Sequence, residues 1–271
     1  FRMTTGWHRW CCGLAASVLL MMSFATAATP QDMAGETPRL RRFGAAEGLP
    51  SRMVVALAED RQGHIWAATD GGLARYDGSM LRVWQHDPEQ AGSLPGNEIE
   101  TLLIDPRDRV WVGINGKGLA RLDADRVRFR TFDGIDAQCQ GQFWTLAYAG
   151  DALWIGTSTH GVCRLDEAGR LQVFQHDPSD ASGLPSDTIY SSLVDGQGRL
   201  WIGTEAGVAR WNGSRFEAIA AHLLGHVSVL RLGRDADGAI WVGTQNDGLY
   251  RIGSDDAVSR RQAQLTTRSE E

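Results

Sequence analysis

The chain has 271 residues, among them 32 glycines, 10 tryptophans and one lysine, Lys117. Glycine without a three-residue period excludes collagen, and 42% hydrophobic residues with a net charge of −6 exclude a disordered chain. Acids outnumber bases 33 to 27, which argues against a nucleic-acid partner. The arginine groups Arg39, Arg41, Arg42 and Arg126, Arg128, Arg130 read as solvated strand faces.

In chain order, residues 1–27 read as a secretory signal peptide. Arg2, His8 and Arg9 give a weakly basic start, 13–25 an apolar run, and Ala25-Thr26-Ala27 a small-x-small cleavage site. The run falls short of the ~20 residues of a membrane span. The expectation is an exported, periplasmic protein whose mature chain does not insert into a membrane. Cys11 and Cys12 leave with the signal, and residues 28–38 form a linker. Cys139 and Cys163 remain, in a compartment that permits a disulfide.

Next comes a repeat. Five segments align on a tryptophan: HIWAATDGGLARY, RVWVGINGKGLARL, ALWIGTSTHGVCRL, RLWIGTEAGVARW and AIWVGTQNDGLYRI. Trp66, Trp111, Trp154, Trp201 and Trp241 are spaced by 45, 43, 47 and 40 residues. Propeller blades repeat at roughly 40–50 residues. In each unit an apolar stretch leads to a turn of the Asp60-x-x-Gly63 kind, then to the Trp strand. Unit three departs from this with Ala149-Gly150-Asp151. The near-continuous apolar run around each Trp predicts a strand covered on both faces. The small residue two positions on (Ala68, Gly113, Gly156, Gly203, Gly243) leaves room for a close neighbour. A third strand opens on Gly-(Leu/Val)-x-Arg, and LRVWQHD, RVRFRTF, LQVFQHD and SRFEAI supply fourth strands. The fold predicted is all-β: a β-propeller of about five four-stranded blades over 39–252, closed or nearly closed. Unit five shows no convincing fourth strand after Ile252. Arg39–Phe43 resembles one and is expected to pair in the last blade, either blade five here or, in a complete sensor, a blade beyond residue 271. The alternative is a ring left open, and 253–271 reads as a polar tail.

The stretch 48–77, GLPS…ALAEDRQGHIWAATDGGLARYD, resembles the two-component regulator propeller repeat. Its Gly48-Leu49-Pro50-Ser51 lead-in returns as Ser93-Leu94-Pro95-Gly96 and Gly183-Leu184-Pro185-Ser186. The resemblance implies the periplasmic sensor region of a hybrid histidine kinase or diguanylate cyclase, which dimerises in a full-length receptor. Family sensor regions carry more repeats and an output module, so the chain reads as an N-terminal piece of one. The function implied is non-catalytic sensing of a small molecule or an envelope protein. The alternatives are a periplasmic propeller enzyme, a lyase or glycoside hydrolase, and an envelope scaffold.

Strand alternation gathers the candidate ligand residues at one end of the sheets, here called the top: Arg52, Asp70, Asn97, Asn115, Lys117, His160, Asp187, Glu205, Asn246 and Asp247. Arg75, Arg121, Arg164, Arg210 and Arg251 recur in every unit and are expected to be structural, pairing with turn carboxylates or a neighbouring blade's carbonyls. Cys139 and Cys163 fall at the same end of one blade, which favours a disulfide. His86-Asp87-Pro88 and His176-Asp177-Pro178 read as turns. No Gly-x-Ser-x-Gly, His-Glu-x-x-His or P-loop is present, and no catalytic residue, metal or cofactor is assigned.

Overall fold

Each tryptophan repeat folds into a four-stranded antiparallel sheet in the computed structural model, which describes residues 42–132 and 134–261. The predicted signal peptide and linker, Arg39–Arg41 and residues 262–271 lie outside them. Blade one holds β1–β4 (Val54–Glu59, Ile65–Thr69, Gly72–Tyr76, Leu81–Trp84). Blade two holds β5–β8 (Ile99–Ile104, Val110–Ile114, Gly118–Leu122, Phe129–Thr131) and blade three β9–β12 (Phe143–Ala149, Ala152–Thr157, Val162–Asp166, Leu171–Phe174). Blade four holds β13–β16 (Ile189–Val194, Leu200–Thr204, Gly207–Trp211, Phe216–Ile219) and blade five β17–β20 (Val229–Arg234, Ile240–Thr244, Leu249–Ile252, Val258–Arg261).

In blades one, two, four and five the turn into the Trp strand is built by an aspartate. Asp195 Oδ1 accepts the backbone N–H groups of Gln197 and Arg199, and Oδ2 accepts the Trp201 indole N–H at 2.8 Å. Asp60, Asp105 and Asp235 hold Trp66, Trp111 and Trp241 in the same way at 2.9, 2.8 and 3.0 Å. The last turn residue has positive φ, as at Gly198 (+79°). Blade two places Asp108 there at φ 62°, a residue that tolerates the left-handed region better than most.

Every inner strand carries a bulge after its first residue. In blades two to five that first residue packs into the preceding blade. A Cβ on Gly113, Gly156 or Gly203 would lie 3.1, 2.6 or 2.8 Å from Phe143, Ile189 or Val229, respectively. The glycine two positions after the Trp is therefore a socket for the next blade. Around it, Trp66, Trp111, Trp154 and Trp201 are almost wholly buried in four inter-blade cores. Burial of rings this large supplies the main apolar stabilisation of each interface.

The sheets do not close into a ring, which corrects the expected closed or nearly closed toroid. Inner strands neighbour one another in the order β1-β5-β9-β13-β17, and β1 does not reach β17. Val54, the counterpart of Ile99 and Val229, is 40% exposed, and the socket at Gly243 meets only Arg231 of its own blade. Trp241 is correspondingly half-buried. The fifth blade's outer strand is also corrected. It is Val258–Arg261, paired with β19, so the repeats run past Ile252. Arg42 and Phe43 lie outside any strand, and Phe43 packs edge-on against Tyr76 of blade one at 4.8 Å.

Two kinds of connection lead into the blades. Before blades two and four, the Leu94 and Leu184 side chains plug the preceding core. There the His86 and His176 rings hydrogen-bond the Leu94 and Leu184 carbonyls at 2.8 and 2.7 Å. Before blades three and five, single helical turns do this work: α1 (Ile135–Gln138) and α2 (Ala221–Leu224). Leu224, the last residue of α2, fills one core, and Cys139, just after α1 and disulfide-bonded to Cys163, fills the other.

Candidate functional site

The β2–β3 type loops and the starts of the inner strands share one end of each sheet, because Val54 pairs with Thr69, Ile99 with Ile114 and Ile189 with Thr204. All ten top-loop candidates sit at that end, but they divide into two groups. Asn97 and Asp187 are committed to the scaffold, since their Oδ1 atoms accept the backbone N–H of His86 and His176 at 2.7 Å. Asp247 is held by Arg260 and the Tyr250 hydroxyl, and the His160 N–H donates to Thr157 Oγ1. Arg52, Asp70, Asn115, Lys117, Glu205 and Asn246 are exposed.

The structure draws Asn115 into a polar cluster that the sequence did not single out. Asn115 Nδ2 donates to Glu98 Oε2 at 3.0 Å, while Gln142 Nε2 donates to Glu100 Oε1 at 2.8 Å and to Asn115 Oδ1 at 3.3 Å. The network joins blades two and three. Glu100 is its unusual member. Its Oε2 is buried without a hydrogen-bond partner. Burial raises its carboxyl above the ordinary value of 4.5; the Phe143 N–H opposes this, and Glu98 adds to it. The neutral form of Glu100 is thus stabilised relative to that of an exposed carboxyl.

Glu100 is the bulge residue of β5, and its counterparts are Val55, Trp144, Tyr190 and Leu230. Trp144 and Tyr190 stack across blades three and four, with centroids 5.6 Å apart and planes 9° from parallel. Hydrogen-bonding groups and a flat apolar surface are thus brought to neighbouring inner-strand starts at the top, here called the mouth. At the opposite end the inner strands border an open hollow of about 560 Å³, lined among others by Glu59, Leu103, Tyr148 and Val194. Among the described residues, no group of three or more His, Cys, Asp or Glu side chains could hold a metal ion.

The recurrent arginines do not all follow the expected pairing. Each faces its blade's tryptophan across the β-ladder, and Arg75, Arg121, Arg164 and Arg210 lie 5.8, 5.2, 5.7 and 5.0 Å from the indole centroid. Arg251 reaches its own turn carboxylate, Asp235, at 3.4 Å, and Arg210 is gripped by Asp256 of the next blade at 2.6 and 3.0 Å. Arg75, Arg121 and Arg164 have no ion pair among the described residues. The turn carboxylates are instead taken by the indole N–H groups and by Arg109 and Arg199. Stacking on an aromatic face is thus the more general role of this position.

Residues 48–71 and 183–206 match the family model described as two component regulator propeller. The resemblance is thereby shown at two of the lead-ins and Trp strands from which it was read. No curated protein matches the chain. Among solved structures, the extracellular domain of the hybrid two component system BT3049 from B. thetaiotaomicron is similar, with 24% identity and a TM-score of 0.65, over 81% of this chain and 31% of that one. That of the one component system BT4673 from the same organism matches at 23% identity and a TM-score of 0.61, over 77% and 27%. Virginiamycin B lyase from Staphylococcus aureus shares 16% identity and a TM-score of 0.60, over 80% and 73%. These likenesses show the propeller fold, and this chain spans under a third of the two signalling-system domains. Among the described residues, no helix is long and apolar enough to cross a membrane.

Proposed function

We propose that the chain is a non-catalytic sensing region of an exported signalling receptor, acting in the periplasm. It takes a small polar ligand at the mouth formed by Glu98, Glu100, Asn115, Gln142, Trp144 and Tyr190. The observation that carries this reading is Glu100: a buried carboxyl oxygen without a partner, inside an otherwise satisfied network and near an aromatic pair. Nature seldom leaves such a group unpaired without a use for it. The regulator-propeller repeats and the signalling-system domains of similar fold support the receptor setting.

A thermal-shift screen of periplasmic small molecules tests this, with Glu100→Gln and Trp144→Ala as reporters. A ligand that raises the melting temperature of the parent but of neither variant supports the mouth. Stabilising ligands that act equally on both variants would remove it from consideration. Glu100→Gln also has an effect without ligand. A raised native pKa means that protonation favours the fold, and that this contribution is lost as pH rises through the native value. The variant is therefore expected to be more stable than the parent at neutral pH, with the gap narrowing as pH falls through the native value and closed below pH 4.5.

A further inference from the structure

At the end opposite the mouth, the outer β-turn of each following blade reaches toward the preceding blade's tryptophan. Between blades four and five, the turn supplies Asp256, bidentate on Arg210. Between blades one and two it supplies Arg126, 5.2 Å over Trp66 and bound to Asp108 at 2.6 Å. Between blades two and three it supplies Glu167, which Arg109 holds at 2.7 and 3.0 Å. Between blades three and four no charged side chain arrives; Trp211, just before the turn, packs on Trp154 with ring centroids 4.9 Å apart. The turn there is Asn212-Gly213-Ser214-Arg215, one residue shorter than 253–257 of blade five. Asn212 is used on its own turn and on Glu217, and Arg215 turns to Asp180.

The same blade has lost its other carboxylate. Ala149 pairs with Ala152, two residues before Trp154, as Asp195 N–H meets the Arg199 carbonyl two residues before Trp201. Ala149 thus occupies the aspartate position. With no side-chain acceptor there, the Trp154 indole N–H donates to the Ala149 carbonyl at 3.0 Å. Arg164 keeps a single neutral acceptor, Gln172 Oε1 at 3.0 Å. The space left is a cavity of about 590 Å³, with Arg164, Gln172, Trp154, Phe174 and Trp211 among its walls. Its other cation, Arg199, is already neutralised by Asp195 at 2.6 Å.

We infer that this cavity binds a monoanion in which a carboxylate is carried on a six-membered ring. The carboxylate takes the place on Arg164 that Asp256 takes on Arg210, where a guanidinium offers paired donors to two oxygens. The ring lies against the aromatic wall. A volume of this order suits a small molecule. The site is separate from the mouth, so each stands or falls alone.

Calorimetric titration of the full chain with benzoate and with glucuronate tests the inference, with benzamide and glucose as uncharged controls. Saturable binding of at least one carboxylate, with its uncharged partner inert, is expected; which one binds tells an aryl acid from a sugar acid. Arg164→Gln should weaken that binding about 10-fold or more. Ala149→Asp, which restores the missing internal carboxylate, should abolish it while leaving the fold at least as stable. Equal binding of charged and uncharged probes, unchanged affinity in both variants, or no binding by either acid would each overturn the inference.

Discussion

Blades three and four share the same skeleton of Trp strand, small residue and Gly-x-x-Arg, yet they are secured at opposite ends. Blade four is tied by charge, with Asp195 holding the Trp201 indole, Arg199 and the turn backbone, and Asp256 holding Arg210. Blade three lacks both carboxylates and has instead a disulfide between Cys139 and Cys163, sequence separation 24, in its interface with blade two. The repeat thus tolerates exchange of its anchors as long as the indole stays buried and its N–H stays bonded. What changes is the condition to which each blade is sensitive: acidity for one, reduction for the other.

Breaking each anchor in turn sharpens that contrast. The largest effect is expected from the disulfide. Cys139→Ser with Cys163→Ser should cost roughly 3 kcal/mol by the loop-entropy argument. Denaturant unfolding should show that reductant reproduces the loss in the parent and has no effect on the double variant.

Asp195→Ala should cost about 1–3 kcal/mol, since it strands a buried indole N–H and a guanidinium. Burial alone would raise the Asp195 carboxyl; the bonds from Trp201 and Arg199 outweigh it and hold it below the ordinary 3.8. A lowered native pKa stabilises above the unfolded value and is lost as pH falls through the native one. The gap between parent and variant should therefore persist above pH 3.8 and close in stronger acid. Blade three has no aspartate at that position, so the same titration on a chain carrying Ala149→Asp should reveal a gain of about 1 kcal/mol with the same pH signature. If Ala149→Asp gained nothing, the two turns would not be equivalent, and blade three would owe its form to the disulfide alone.

Much of this architecture was legible in the sequence because it recurs. Trp66 and its counterparts, the small residues after them and the aspartate turns mark five sheets, and each is read by comparing the chain with itself. The outer strand of blade five was missed because Val-Ser-Arg-Arg has little apolar pattern; its pairing with β19 comes from the backbone ladder. The single turns α1 and α2 are too short to show helical periodicity. The polar mouth escaped for a different reason. Three of its residues, Glu100, Trp144 and Tyr190, occupy the bulge position that Val55 and Leu230 fill in the outer blades, and a search for what repeats passes over a place where every copy differs. The signal was present as variability at fixed register, but the register shifts at a bulge, which only the ladder reveals. Asn97 and Asp187, by contrast, looked available in the sequence and are spent on their own loops.

The contact between an inner strand's first residue and the glycine of the blade before it is wholly local. Each junction is specified by two adjacent repeats, and nothing in it counts how many there are. Tandem duplication of one unit in the gene would therefore lengthen the arc by one blade and leave existing junctions intact. That rule makes arc length a property free to change while the chemistry of any single blade is kept.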